Sequence, residues 1–112
     1  MRLALETQVQ DFINYLSVEK GLAKNSVLAY ESDLKKYVGF LAEKKIKSFS
    51  QVSRQHITQF LFHEKQRKQE ASSIARALVA VKLLHRFLVK EGSLAEDITS
   101  VLESPRLWKY LP

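Results

Sequence analysis

The stretch ASSIARALVAVKLLHRFLVKEG, residues 71–92, is where the fold class becomes readable. Ile74, Leu78, Val81, Leu84 and Leu88 recur at spacings of three and four residues, so one helix carries them all on a single face. Ser72 or Ser73 is the expected cap, and Gly92 is the expected stop. The polar side is unusual: between Ala71 and Lys90 it holds the cations Arg76, Lys82, Arg86 and Lys90 and no acid. On a helical wheel these four and Ser72 share an arc of about 120°, together with Val79 and Leu83. A solvated helix face normally sets acids three or four residues from its cations. Here no acid competes for them, which points to a polyanionic partner.

Working outward, the same periodicity accounts for most of the chain. A first helix is expected from Glu6 to Lys20, with Leu5, Val9, Phe12, Ile13 and Leu16 inward and Gly21 as its stop. A second runs from Ser26 to Lys44, capped by Asn25, with Val27, Tyr30, Leu34, Tyr37, Val38 and Leu41 in one stripe. A third runs from Arg54 to Gln66, capped by Ser53, with Ile57, Phe60 and Leu61 inward. The helix of residues 71–92 is the fourth, and a short fifth turn is expected over Ala95–Leu102. Beyond Ser104-Pro105 the periodicity stops, and SPRLWKYLP reads as extended, because proline biases its predecessor away from helix. The expectation is an all-α domain over residues 1–103, with residues 104–112 opening a linker.

Composition narrows the function. The chain has 112 residues, 46% hydrophobic and 10% aromatic, which suits one folded domain. It has no cysteine, hence no disulfide framework and no thiolate metal site. No apolar run approaches the roughly 20 residues of a membrane span, and MRLALETQ turns polar by Glu6, too early for a signal peptide. A cytoplasmic protein without membrane association is expected. The formal charge of +6 and isoelectric point near 9.7 favour a polyanionic partner.

The second helix carries its own candidate surface. Leu28, Ala29, Ser32, Lys35, Lys36 and Gly39 lie away from its core stripe. Small residues beside lysines let another surface approach closely; equally, Leu28 could pack on a neighbouring helix and Gly39 be merely tolerated at roughly 1 kcal/mol. The starts of helices two and four place Asn25-Ser26, flanked by Lys24, and Ser72-Ser73 beside free backbone N–H groups. Such ends cap themselves and also attract phosphate. Catalytic signals are missing: His63-Glu64 opens like a zinc-protease motif, but Arg67 stands where the second histidine belongs. His56, His63 and His85 have no companions for a metal site, and His85 adjoins the core stripe as a packed residue. No cofactor is expected.

FINYLSVEKGLAKNSVLAYESDLKKYVGFL resembles the opening of the core-binding domain of tyrosine recombinases of the XerC/XerD type, the phage integrase family. The shared features are Gly21-Leu22, Asn25-Ser26, Ala29-Tyr30 and Asp33-Leu34. SSIARALVAVKLLHRFLVKEG is similar to that family's fourth helix, and SPRLWKYLP to its linker into a catalytic domain. The resemblance implies an orthogonal helix bundle of the SAM-like type, four main helices plus a short fifth turn, forming half of a clamp around duplex DNA with its second and fourth helices across the major groove. It puts Ser72, Ser73 and Arg76 at the DNA end of helix four and Leu28, Ala29 and Ser32 at the groove. Arg106 and Lys109 would follow the DNA backbone. Where family members often carry Arg or Lys after Ala-Tyr, this chain has Glu31 and Ser32. It also has no His-x-x-Arg, and Tyr110 falls in the linker. The implied chain therefore binds DNA without cleaving it.

The resulting expectation is a DNA-binding set of Lys24, Asn25, Ser26, Ala29, Ser32, Lys35, Ser72, Ser73, Arg76, Lys82, Arg106 and Lys109. Most would hold phosphates, and Arg76 would reach a base edge, guanine O6 and N7. The full-length parent would be a tetrameric recombinase and the isolated domain a monomer. Two rivals stay open: a helix-turn-helix regulator inserting helix three, whose outward face carries Gln55, Glu64 and Gln66, and a helical protein-interaction module using Leu28, Val79 and Leu83.

Overall fold

The computed structural model describes residues 4–100 and 102. Its helices are α1 (Ala4–Val18), α2 (Lys24–Glu43), α3 (Arg54–Gln66) and α4 (Ala71–Lys90), with a 3-10 turn at Phe49–Gln51 between α2 and α3. No strand occurs among the described residues. The expected all-α architecture is therefore the one found. The expected fifth element is a pair of hydrogen-bonded turns, closed by Ser100 N–H on the Asp97 carbonyl and Leu102 N–H on the Thr99 carbonyl. Thr99 is buried and donates both its backbone N–H and its hydroxyl to the Asp97 carboxylate.

Helix starts depart from the sequence expectation. At α2 the cap position belongs to Ala23 and at α4 to Glu70, neither with a side-chain capping bond. Asn25, Ser72 and Ser73 therefore lie inside first turns and are not the caps. Only Ser53 caps as expected: its hydroxyl accepts from His56 N–H at 3.4 Å, while His56 Nδ1 accepts from Ser53 N–H at 3.0 Å. Histidine takes the place that Glu or Gln usually fills in this reciprocal motif.

The ends explain the starts. In α4, Gly92 adopts φ +83°, with Gly92 N–H on Val89 O and Ser93 N–H on Leu88 O, the paired bonds of a Schellman stop. The same bonds close α2 and α3, where the left-handed residue is Lys45 or Lys68, each at φ 63°. A lysine gives no sequence signal of such a stop. After Lys68 only Gln69 and Glu70 remain before α4, so the tight turn, and not a serine, sets where α4 begins. In α1, Tyr15 O receives both Glu19 and Lys20 N–H, leaving Lys20 beyond the helix, and Gly21 turns the chain at φ +60°.

The core forms around α4, which packs against α1, α2 and α3. All five expected α1 residues are buried. On α2 the stripe holds except for Tyr30, which is half-buried; Phe40 and Asp33 are buried in addition, because α2 meets α1 on one side and α3 and α4 on the other. On α4, Ile74 is half-buried, while Ala77, Ala80, His85 and Phe87 join the buried set. Ring contacts tie the layers together: Tyr37 to Phe60 at 5.2 Å, Phe40 to Phe60 at 5.7 Å, and Phe12 to Phe87 at 5.4 Å. Tyr37 and His85 share a buried hydrogen bond of 2.9 Å. Burial pushes the Tyr37 phenol up and the His85 imidazole down to about 4, against the pull of the Asp97 charge.

Candidate nucleic-acid interface

The first turns of α2 and α4 present the candidate polar groups. Lys24, Asn25, Ser26 and Ser32 are exposed on α2, as is Ser72 on α4; Ala29 and Ser73 are half-buried. With no capping side chain at either start, the first-turn N–H groups are left to outside acceptors. The two helices are neighbours. Asp33 and Lys36 of α2, Glu64 of α3 and Ser73 of α4 line one small groove together with Gln69.

Arg76 joins these helices. Its Nε donates to Asp33 Oδ2 at 2.8 Å and its Nη2 to Asp33 Oδ1 at 3.0 Å, a two-bond fork from α4 to α2. The Asp33 side chain is 3% exposed and that of Arg76 43%. The hydrogen bond to Asp33 raises the Arg76 pKa above its ordinary value. The expectation that no acid competes for the α4 cations is corrected here, since the acid comes from another helix. Sequence reading missed Asp33 as a partner. Its one signal was a carboxylate set directly beside the core residue Leu34, which gives no hint of which cation answers it.

The other α4 cations do not gather at the same place. Lys82 lies about 120° around the helix from Arg76, half-buried, and its Nζ donates to Leu102 O at 3.2 Å. It anchors the turn that follows α4. Lys90 sits over the Tyr15 ring at 5.5 Å, about 27 Å along the helix from Ser72. Arg86 is exposed. Lys35 is also exposed, beside a shallow groove between α1 and α2 lined by Glu6, Gln10, Glu31 and Gly39. Arg106 and Lys109 lie outside the described residues.

The apolar positions divide. Leu28 is 50% exposed and Val79 36%, whereas Leu83 packs against the core. On α3, Glu64 is not outward: it is buried and accepts from Arg67 Nη1 at 3.2 Å. Phe62, which sequence reading did not single out, is 50% exposed. At the far end of α4 an open cleft of about 340 Å³ is lined by Asp11, Glu19 and Glu91 around Tyr15 and Phe87. Acids thus line the region near the α4 C-terminus, away from the start of α4. Among the described residues no cluster of potential ligands could hold a metal ion, and no helix is long and apolar enough to cross a membrane.

These features define a small all-helical domain whose α2 and α4 are joined through the Arg76–Asp33 fork and carry exposed polar residues in their first turns. Residues 9–92 match the family model of the phage integrase N-terminal SAM-like domain, and the chain belongs to that family. It is 36% identical to the tyrosine recombinase XerD of Staphylococcus aureus over 108 residues, covering 96% of this chain and 37% of that protein. It is 35% identical to the tyrosine recombinase XerC of Herpetosiphon aurantiacus over 108 residues, covering 96% of this chain and 35% of that protein. The chain thus spans little more than a third of the length of these curated relatives. No solved structure gives a significant match.

Proposed function

We propose that this domain is the DNA-binding half-clamp of a site-specific tyrosine recombinase, gripping duplex DNA in the major groove through α2 and α4. The observation that supports the reading is the Arg76–Asp33 fork: it ties α4 to α2 and leaves a partly exposed cation where the two helices meet. Lys24, Asn25, Ser26 and Lys35 on α2, and Ser72 and Ser73 on α4, hold phosphates and fix register. Ala29 and Ser32 allow close approach to the groove. Arg76 meets a base edge. Lys82 has a second duty at Leu102 and contributes to phosphate binding with the hydrogens that bond leaves free. Arg106 and Lys109 continue along the backbone toward the catalytic domain of the parent protein.

In that parent, a catalytic-domain tyrosine attacks a phosphodiester and conserves its energy as a phosphotyrosine link, and four protomers assemble on two sites in the cytoplasm. The domain by itself is a monomer that binds DNA weakly, because half a clamp neutralises few phosphates. No cofactor enters this reading.

An NMR titration of the chain with a duplex recombination-type site tests it. Shifts are expected along the exposed faces of α2 and the first half of α4, with log affinity falling against log salt by about 0.9 per phosphate neutralised. Shifts confined to α3 would establish the helix-turn-helix reading instead. Binding of a protein partner through Leu28 and Val79, insensitive to salt, would establish the interaction-module reading.

A further inference from the structure

The fork between Arg76 and Asp33 uses only one edge of the guanidinium. Nε and Nη2 face the carboxylate. A guanidinium carries five N–H donors in a plane, and this side-on pairing takes one hydrogen from each of those nitrogens. The end-on edge, made by the second Nη2 hydrogen and the Nη1 hydrogens, stays free. That edge has the geometry required for O6 and N7 of guanine. The Arg76 side chain is 43% exposed while Asp33 is almost wholly buried, so the anchored edge points into the protein and the free edge has access to solvent.

We propose that Asp33 is a positioning residue for base recognition: by anchoring the side-on edge of Arg76, it fixes the guanidinium plane and presents the end-on edge to a guanine in the groove. This rests on the DNA-binding reading above. An unanchored arginine on an exposed helix face samples many rotamers and loses that freedom on binding. Anchored by a carboxylate that is itself held in the core, it arrives with its donors already aligned. Asp33 therefore contributes to specificity without touching DNA. Lysine cannot substitute at position 76, because a single ammonium cannot serve a buried carboxylate and a base edge through two separate planar forks.

The test compares the unmodified chain with Arg76→Ala and Asp33→Asn, using a pool of duplexes with a randomised core and sequencing of bound against unbound molecules. The unmodified chain is expected to select guanine at one position by roughly 5- to 150-fold, the range of a good two-bond contact, and Arg76→Ala to abolish that selection. Asp33→Asn, shown to be folded by its melting transition, is expected to lose most of the selection while its affinity for a non-specific duplex stays within about twofold, since phosphate contacts carry that binding. A folded Asp33→Asn chain with undiminished selection would overturn the positioning role and leave base reading by Arg76 intact. No Arg76-dependent selection in the unmodified chain would overturn base reading itself, and the positioning role with it. Should Asp33→Asn not fold, Asp33→Glu takes its place, keeping the charge but displacing the fork: loss of guanine selection with retained non-specific binding supports the proposal, and retained selection overturns it.

Discussion

Lowering the pH should act on one buried residue more than on any other of known shift. His85 is fully buried and hydrogen-bonded to Tyr37, and burial lowers its pKa from 6.5 to about 4. The folded state thus prefers the neutral imidazole, while the unfolded chain takes up a proton near pH 6.5. Stability from this residue is complete above that value and is lost as pH falls toward 4, where the folded form at last protonates. A difference of about 2.5 pKa units at 1.36 kcal/mol each corresponds to about 3 kcal/mol. For a small domain this is a large share of the total stability. Urea unfolding of the chain and of His85→Gln, compared between about pH 7 and about pH 4, isolates the effect from the carboxylates common to both. The variant loses packing at every pH, but its stability should fall by about 3 kcal/mol less across the interval. A parallel pH profile for the two proteins, or an imidazole resonance of His85 titrating near its ordinary value, would refute the reasoning.

Gly39→Ala should stabilise the domain by about 1 kcal/mol, because the position is inside α2 and an added methyl meets nothing within 4 Å; a chemical melt measures it, and a simultaneous loss of DNA affinity would show that the open space serves close approach. Lys45→Gly and Lys68→Gly should each stabilise by about 0.5–1 kcal/mol, since both lysines occupy left-handed backbone that glycine adopts without a Cβ clash; unchanged or lowered melting temperatures would contradict this.

Much of the fold was legible beforehand, for a reason visible in particular residues. The α1 stripe of Leu5, Val9, Phe12, Ile13 and Leu16 faces one environment, so its burial follows the period of a single helix. The Ser53 cap was readable because its partner, His56, lies three residues away. Legibility failed where an element meets several neighbours. Asp33 and Phe40 are buried because α3 and α4 pack against α2 beyond the stripe that periodicity marked as core. Glu64 is buried for the same reason, with Arg67 answering its charge. The caps at Asn25, Ser72 and Ser73 were misplaced because the connections at Lys68 and Gly21, not the capping side chains, fix where α4 and α2 begin.

The sequence by itself determined the helices, their inward faces, the basic balance and the resemblance that the family match then established. All of these rest on interactions between residues close in the chain, or on sums over it. Only the tertiary structure decided what the cations of α4 do. Arg76 braces α2 through Asp33, 43 positions away; Lys82 holds Leu102; and Lys90 lies over Tyr15. Charges far apart in sequence find each other according to how helices pack, and helix packing is set by the whole core at once. A run of unpaired cations read from one helix was therefore a statement about that helix alone.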